Sequence, residues 1–388
     1  MTIFKNVRVV TETEILSQDV LCENGKIQKI GENLPAPAGA EVIDGKGRYL
    51  APGFIDLHVH GGGGASAMGG KDAVLKMCRA HAQYGTTSIL PTTLAAPIAQ
   101  LKTAMDGIRA AQAEAQDVHI LGAHLEGPFL SPDMSGAQSP ENILVPDEWD
   151  YEDLLSYWDG IKIVGAAPET KGGMALGRAI QAHGIVASIA HSTADFDKAE
   201  EAFQNGYSDV THLYNACTSC HKIGVFRYAG TVEAALTNDA VTTQIIADLR
   251  HQPVGVLKLT YKCKGSDRMY LITDGLEYAA LDMEEGQVFM QENGMEVLYE
   301  DGVMKLADRS CLAGSVATCD RLVRNMVKAV GVSIPESVKM ATATPAKVIG
   351  IDDHVGKIAK GYDADIILFD DDIRVSFVMV GGKIIKQA

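Results

Sequence analysis

Residues 52–64 read PGFIDLHVHGGGG: a short apolar run, Phe54 to Val59, that delivers His58 and His60 at its end and is closed by four glycines. Runs of the same length recur downstream, at Thr87 to Leu90, Val118 to Ala123, Lys162 to Ala166, Val186 to Ala190, Asp209 to Leu213, Thr243 to Ala247 and Met269 to Thr273. Helix-like segments separate them, as at Asp72 to Tyr84, where Ala73, Leu75, Met77, Cys78, Ala80 and Ala82 mix with Lys76, Arg79 and Gln83. Eight strand–helix units within roughly 300 residues predict an α/β fold, a (β/α)8 TIM barrel, with a doubly wound open sheet as the competing arrangement.

The two ends of the chain have a different grammar. Ile3 to Val10, Asp19 to Cys22 and Ile27 to Ile30, with a turn at Glu23-Asn24-Gly25, read as hairpins, and the glycine-punctuated tail after Asp352 reads the same way. Residues 1–51 and 347–388 are therefore expected to form one small β-sandwich domain, and 52–346 the barrel. Within the barrel, strand-like pieces at Gln287 to Gln291, Met295 to Tyr299 and Val303 to Leu306, with Asn293-Gly294 and Asp301-Gly302 between them, predict a β-hairpin insertion near 278–308. Helices are expected to resume at Val316 to Val330 and Ile334 to Ala341.

Composition narrows the partners. The 388 residues are 46% hydrophobic and 22% charged, with a net charge of -16, which disfavours a phosphate-backbone partner such as nucleic acid. No apolar run approaches the roughly 20 residues a membrane span needs, and the N-terminus lacks the pattern of a secretory signal, so a cytoplasmic location is expected. An odd count of seven cysteines fits reduced thiols. Cys217, Cys220 and His221 spell CxxCH, but the haem pattern needs an exported chain and a zinc pair needs a second pair, so a loop is the plainer reading.

In a barrel, chemistry sits where strands end. His58 and His60 follow the first run, His124 and Glu126 the third, His191 the fifth, His212 and Asn215 the sixth, Asp248 and His251 the seventh, and Asp274 the eighth. So many polar groups at one mouth are costly to bury without a shared partner, and a metal supplies one. HVH puts two imidazoles on one face of a strand. Glu126, His191, His212 and Asp274 add carboxylate and nitrogen donors, enough for two ions if a carboxylate bridges. His81, His119, His183, His221 and His354 read as surface or core histidines, His124 as a residue behind the ligands, and Asp370 to Asp372 as a solvated turn.

The motifs PGFIDLHVHGGGG, HLEGPFLSP with GAQSP, AHSTAD, THLYNA, LITDG, LAGSVATCDRLVRN and the tail TPAKVIGIDDHVGKIAKGYDADIILFD together resemble the N-acetylglucosamine-6-phosphate deacetylases of the amidohydrolase superfamily. The resemblance implies a divalent metal, zinc or iron with cobalt or manganese as alternatives, held by Glu126, His191 and His212. A second position would use His58 and His60 with Glu126 bridging, and Asp274 would serve as ligand and proton shuttle. It further implies hydrolysis of the acetamide of N-acetylglucosamine 6-phosphate to glucosamine 6-phosphate and acetate. Substrate contacts would come from Ala137, Gln138, Asn215, Ala216 and His251, with Arg227 reaching the phosphate from a partner subunit of a homodimer. Two departures touch that half of the site: ADLRH has Leu249 where relatives carry glycine, and the segment around Arg227 lacks a proline usual before the glycine. The alternatives are a related deacetylase acting on another N-acyl substrate (N-acetylgalactosamine 6-phosphate, an unphosphorylated acyl sugar or an acyl amino acid) and a non-catalytic barrel.

Overall fold

The computed structural model describes residues 1–290, 296–310 and 312–387. The barrel strands are Phe54–Val59, Thr86–Thr93, Ala123–Glu126, Ile161–Ala166, Val186–Ile189, Tyr207–Val210, Thr242–Ile245 and Met269–Leu271. They pair in parallel and in chain order. The ring closes where Gly275 bridges Val59 and the Asp274 N–H donates to the His58 carbonyl at 2.9 Å. The architecture is thus a (β/α)8 barrel and not an open sheet.

The strands are apolar because both of their faces are covered, one by the barrel interior and one by helices. The helix Lys71–Ala82 shows how the covering layer is specified. It buries Val74, Met77, Cys78, His81 and Ala82, the three- and four-residue spacing of a single helix face.

Differences from the expected positions at two strands bear on the site. The third run does not end at Ala123. A two-residue piece, His119–Ile120, precedes Gly122 at φ 136°, and the main strand starts at Ala123, so His124 and Glu126 lie inside it. The second strand runs to Thr93 through Pro91, which the ladder accommodates at a register shift between Ile89 and Pro91. The helix expected from Val316 begins only at Cys319. Leu276 N–H donates to Ser315 O and Ser315 N–H to Asp274 O, holding the preceding segment extended against the eighth strand end.

The chain ends share a core. Arg8–Val10, Ile15–Ser17 and Tyr49–Pro52 join Ile366–Phe369, Val375–Val380 and Lys383–Gln387 in one six-stranded sheet. A four-stranded sheet of Thr2–Lys5, Asp19–Glu23, Lys26–Gly31 and Glu41–Asp44 lies with it. Phe4, Val20, Ile27, Leu50, Leu368 and Phe377 form the common cluster, with Phe4 edge-on to Phe377 at 5.4 Å. Full burial of each such side chain is worth roughly 1.5–3 kcal/mol. Between Tyr278 and Asp308 stand three antiparallel strands, Val288–Met290, Glu296–Glu300 and Val303–Leu306, the last two joined by Asp301 (φ 58°) and Gly302 (φ 75°). Gln291, Asn293-Gly294 and Met295 lie outside the described residues.

Candidate metal centre

The first strand end is shaped by its glycines. A Cβ on Gly61 would lie 2.6 Å from the Glu277 nitrogen, and one on Gly62 would lie 2.6 Å from His81 Nε2. Only glycine lets this loop pack against both neighbours. His81, expected as a core or surface histidine, is a buried prop: its Nε2 donates to the Gly61 carbonyl at 2.8 Å.

Above that loop the structure gathers His58, His60, Glu126, His191, His212 and Asp274. Glu126 is the hub. Its Oε1 lies 2.9 Å from His212 Nε2, 3.2 Å from His191 Nε2 and 3.5 Å from His58 Nε2, while its Oε2 lies 3.2 Å from His60 Nε2. Asp274 Oδ1 lies 3.2 Å from His60 Nε2 and 3.4 Å from His58 Nε2. The two sets that can each enclose an ion are His58, His60, Glu126 and Glu126, His191, His212, all buried.

The outward-facing nitrogens fix the tautomers. His60 Nδ1 faces the Thr92 carbonyl at 3.2 Å, His191 Nδ1 the Met134 carbonyl at 2.8 Å, and His58 Nδ1 the Gln244 Oε1 at 2.9 Å. Each acceptor requires an N–H, so the proton of a neutral ring is on Nδ1 and Nε2 is a bare lone pair aimed inward. His58 and His60 Nε2 are 3.2 Å apart, as are His191 and His212 Nε2. The bare Nε2 lone pairs of neutral His58 and His60, held that close, repel unless a cation lies among them, whereas His212 Nδ1 has no acceptor and its Nε2 can hold the proton. The donor set therefore fits a divalent metal, and its nitrogen and carboxylate character suits zinc or other first-row ions.

The charges follow the same geometry. Burial pushes His58 down to about 4, whereas at His60 burial is outweighed by hydrogen bonds to Asp274 and Glu126, which raise it to about 10. Burial opposes ionisation of Asp274, but the adjacent His58 and His60 hold it down at about 2. Glu126 is likewise held well below the usual carboxylate range by the surrounding imidazoles, despite its burial. Asp274 is also the most open of the six, with its side chain 16% exposed against 7% or less for the rest. His191, His212 and Asp274 all sit at positive φ (46°, 28° and 47°), backbone strain of order 1–3 kcal/mol each that aims strand-end side chains at one point.

The remaining expected residues divide. A 420 Å³ cavity beside His60 is lined by Ala137 and Gln138 together with Met68, Leu94, Leu276 and Glu277. Gln138 also clamps the hub, donating from Nε2 to Glu126 Oε2 at 2.5 Å while its Oε1 accepts from Ala95 N–H at 2.8 Å. Asn215 accepts from Gln252 at 3.1 Å and leaves its buried Nδ2 without a partner. Ala216 takes φ 44°, and its carbonyl accepts from Ser192 N–H. His251 Nδ1 donates to Asp248 Oδ2 at 2.8 Å. Arg227 is not brought to the cluster: it stands on an exposed hairpin, His221–Ile223 with Phe226–Tyr228, whose Ile223, Val225 and Phe226 face solvent. His124 packs edge-on to His58 with centroids 4.5 Å apart and donates to the Leu57 carbonyl. Sequence reading missed Gln244 and Asp209, polar residues inside apolar strand runs, whose position there was the available signal.

The amidohydrolase family model matches residues 49–385. The chain belongs to the amidohydrolase family. It is similar to the N-acetylglucosamine-6-phosphate deacetylase of Lysinibacillus sphaericus, 31% identical with 99% of this chain and 98% of that protein covered. It is also 31% identical to the N-acetylgalactosamine-6-phosphate deacetylase of Escherichia coli O157:H7, with 90% of each covered. Among solved structures, the N-acetylglucosamine-6-phosphate deacetylase of Pasteurella multocida superimposes with a TM-score of 0.90 at 30% identity, covering 99% of both chains. The D267A mutant of the Mycobacterium smegmatis enzyme, in complex with N-acetyl-D-glucosamine 6-phosphate, gives 0.88 at 27%, covering 100% of this chain and 99% of that one.

Proposed function

We propose that this amidohydrolase hydrolyses the acetamide of N-acetylglucosamine 6-phosphate, releasing acetate and glucosamine 6-phosphate. The observation that carries the reading is one carboxylate, Glu126, shared by two three-residue groups, each able to enclose an ion. His58, His60 and Glu126 would hold one divalent ion, and Glu126, His191 and His212 another, with zinc or iron the best match to the donors. Such ions supply Lewis acidity and bring a water's pKa to about 7.

The chain's own residues do the rest. Asp274, ionised and the most exposed of the six, accepts a proton from the attacking water and passes it to the departing amine nitrogen. Gln138 keeps Glu126 in place through its amide, and the wall it shares with Ala137 receives the sugar. The buried Nδ2 of Asn215 needs an acceptor, which a substrate oxygen provides. The Asp248 hydrogen bond keeps the His251 ring oriented, with Nε2 as its free edge. Arg227 stands on an exposed hairpin, and we infer that it reaches the phosphate of a second subunit, with the apolar hairpin tip covered in a homodimer. No helix among the described residues is long and apolar enough to cross a membrane. The thiols of Cys22, Cys78, Cys217, Cys220, Cys263 and Cys319 are free, which supports the cytoplasmic placement.

The equal identity to an N-acetylgalactosamine-6-phosphate deacetylase makes the C4 epimer the second substrate to assay. The test is acetate release from both phosphorylated sugars and from unphosphorylated N-acetylglucosamine. Turnover of the first alone supports the reading. Equal turnover with and without phosphate removes Arg227 from the site, and no release from any with metal bound points to a non-catalytic barrel.

A further inference from the structure

We infer that Gln244 and Asp209 are positioning residues that set the tautomer of His58 and thereby its capacity to bind metal. The chain of contacts is short and dry. His58 Nδ1 meets Gln244 Oε1 at 2.9 Å, and Gln244 Nε2 donates to Asp209 Oδ2, also at 2.9 Å. All three residues are fully buried.

An amide can present either end to a neighbour, so something must fix which end His58 sees. Asp209 does this. Its Oδ2 accepts from Ser188 Oγ at 2.8 Å and Tyr270 OH at 3.0 Å as well as from Gln244, and its Oδ1 accepts from Thr242 Oγ1 at 2.6 Å. A flipped Gln244 would set its carbonyl oxygen against that carboxylate. With the NH2 end held by Asp209, only the carbonyl end faces His58, and a carbonyl accepts. The His58 proton is then on Nδ1, and Nε2 is left bare, 3.2 Å from His60 Nε2. Gln244 also acts through its backbone, because its carbonyl accepts from Leu213 N–H at 2.9 Å, beside His212. The other oriented imidazoles, His60 and His191, rest on main-chain carbonyls, which have no second end to offer.

The inference rests on the metal reading above, and one of its measurements needs no metal. In metal-free protein, long-range proton–nitrogen NMR of histidine rings reports the tautomer directly. Wild-type protein is expected to show His58 protonated on Nδ1. Asp209→Asn is isosteric and can turn an NH2 towards Gln244, whose carbonyl oxygen then accepts from it and whose own NH2 faces His58, so a mixed or Nε2-protonated His58 is expected. Gln244→Leu removes the acceptor and should do the same; should it fail to fold, Asp209→Asn alone decides. On titration with zinc(II) against a competing chelator, affinity at the His58 and His60 position is expected to fall about 10–100-fold. The position of Glu126, His191 and His212 should keep its affinity within about threefold, a split that general loosening of the fold would not produce. An unchanged Nδ1 tautomer in Asp209→Asn, or equal losses at both positions, overturns the assignment. An unchanged wild-type tautomer with no zinc binding at all instead defeats the metal reading and leaves the tautomer assignment standing.

Discussion

Loading the centre should expel protons, and the number follows from the geometry. In the metal-free cluster, His58 and His60 Nε2 stand 3.2 Å apart with the Nδ1 of each committed to an acceptor. One proton between them relieves the repulsion, and it resides on His60, raised to about 10 by Asp274 and Glu126 against the effect of burial. In the second half His191 and His212 Nε2 are also 3.2 Å apart, but His212 Nδ1 has no hydrogen-bond partner. A neutral His212 can therefore carry its proton on Nε2 and donate it to Glu126 Oε1, the contact that raises its pKa against the effect of burial. The His58 and His60 half therefore carries one extra proton at pH 7, and an ion bound there displaces it. The sign is set by the raised His60 pKa: a proton competes with metal at every pH below about 10, so affinity at the His58 and His60 position increases as pH rises. One displaced proton gives a tenfold gain per pH unit, about 1.4 kcal/mol, or about 100-fold between pH 6 and 8 at that position.

Calorimetric titration with zinc(II) in buffers of different ionisation enthalpy counts the released protons, and chelator competition at pH 6, 7 and 8 gives the slope. Buffer-independent heats together with a flat affinity would mean that the metal-free cluster holds no proton, and the hydrogen-bond assignment at the Nδ1 atoms would fail with it. The same raised pKa values act on the fold. Relative to the unfolded chain they stabilise the metal-free protein fully below pH 6.5, and this contribution is lost as pH climbs towards 10. Chelated protein should accordingly lose stability over that range faster than loaded protein.

Three further outcomes are expected. Asp274→Asn should retain its metal content, read by elemental analysis, while turnover falls about 10²–10⁴-fold, since it removes the proton acceptor and not the imidazoles. Arg227→Ala should raise KM for the phosphorylated sugar about 10–100-fold, as expected for losing a charged hydrogen bond worth about 1.5–3 kcal/mol, and leave the unphosphorylated sugar unaffected. Leu249 occupies φ 66°, so in thermal melts Leu249→Val should cost about 1–2 kcal/mol more than Leu249→Gly, because a β-branched residue tolerates that backbone least.

The barrel was legible because its strands are buried on both sides and so read as isolated apolar runs between amphipathic helices. Boundaries were less legible where a polar residue is itself part of a strand. Thr92 and Thr93 extend the second strand beyond Pro91, and Glu126 ends the third strand where the apolar run had already stopped. The residues proposed to hold metal stood out because ionisable groups at strand ends have no other economical explanation. The residues that orient them did not: Thr92 and Met134 act through main-chain carbonyls, which any residue type supplies. Gln244 and Asp209 act from the barrel interior, where their contacts join strands five to eight and depend on closure of the sheet. Leu249 was noticed as a departure from glycine, and its positive φ gives that departure a physical content: the backbone keeps the glycine conformation although the side chain has changed.

Charge adds a constraint on how the substrate lies. The chain carries -16 overall, and the cavity beside His60 is lined by Glu141 and Glu277 with no lysine or arginine among the described residues. A phosphate placed there would meet carboxylates of its own sign. The unpaired Asn215 donor and the His251 ring belong instead to the segments after the sixth and seventh strands, and the cavity belongs to those after the first, second, third and eighth. On the function proposed above, a phosphorylated sugar would lie with its uncharged groups against Ala137 and Gln138 and its phosphate towards Asn215 and His251. There the one arginine proposed for it must arrive from outside the subunit. Beyond a screening length of about 8 Å the remaining surface charge contributes little, so recognition of an anion by this acidic protein rests on groups within that radius, and salt should weaken phosphate-dependent binding far less than it would for a protein that relies on long-range steering.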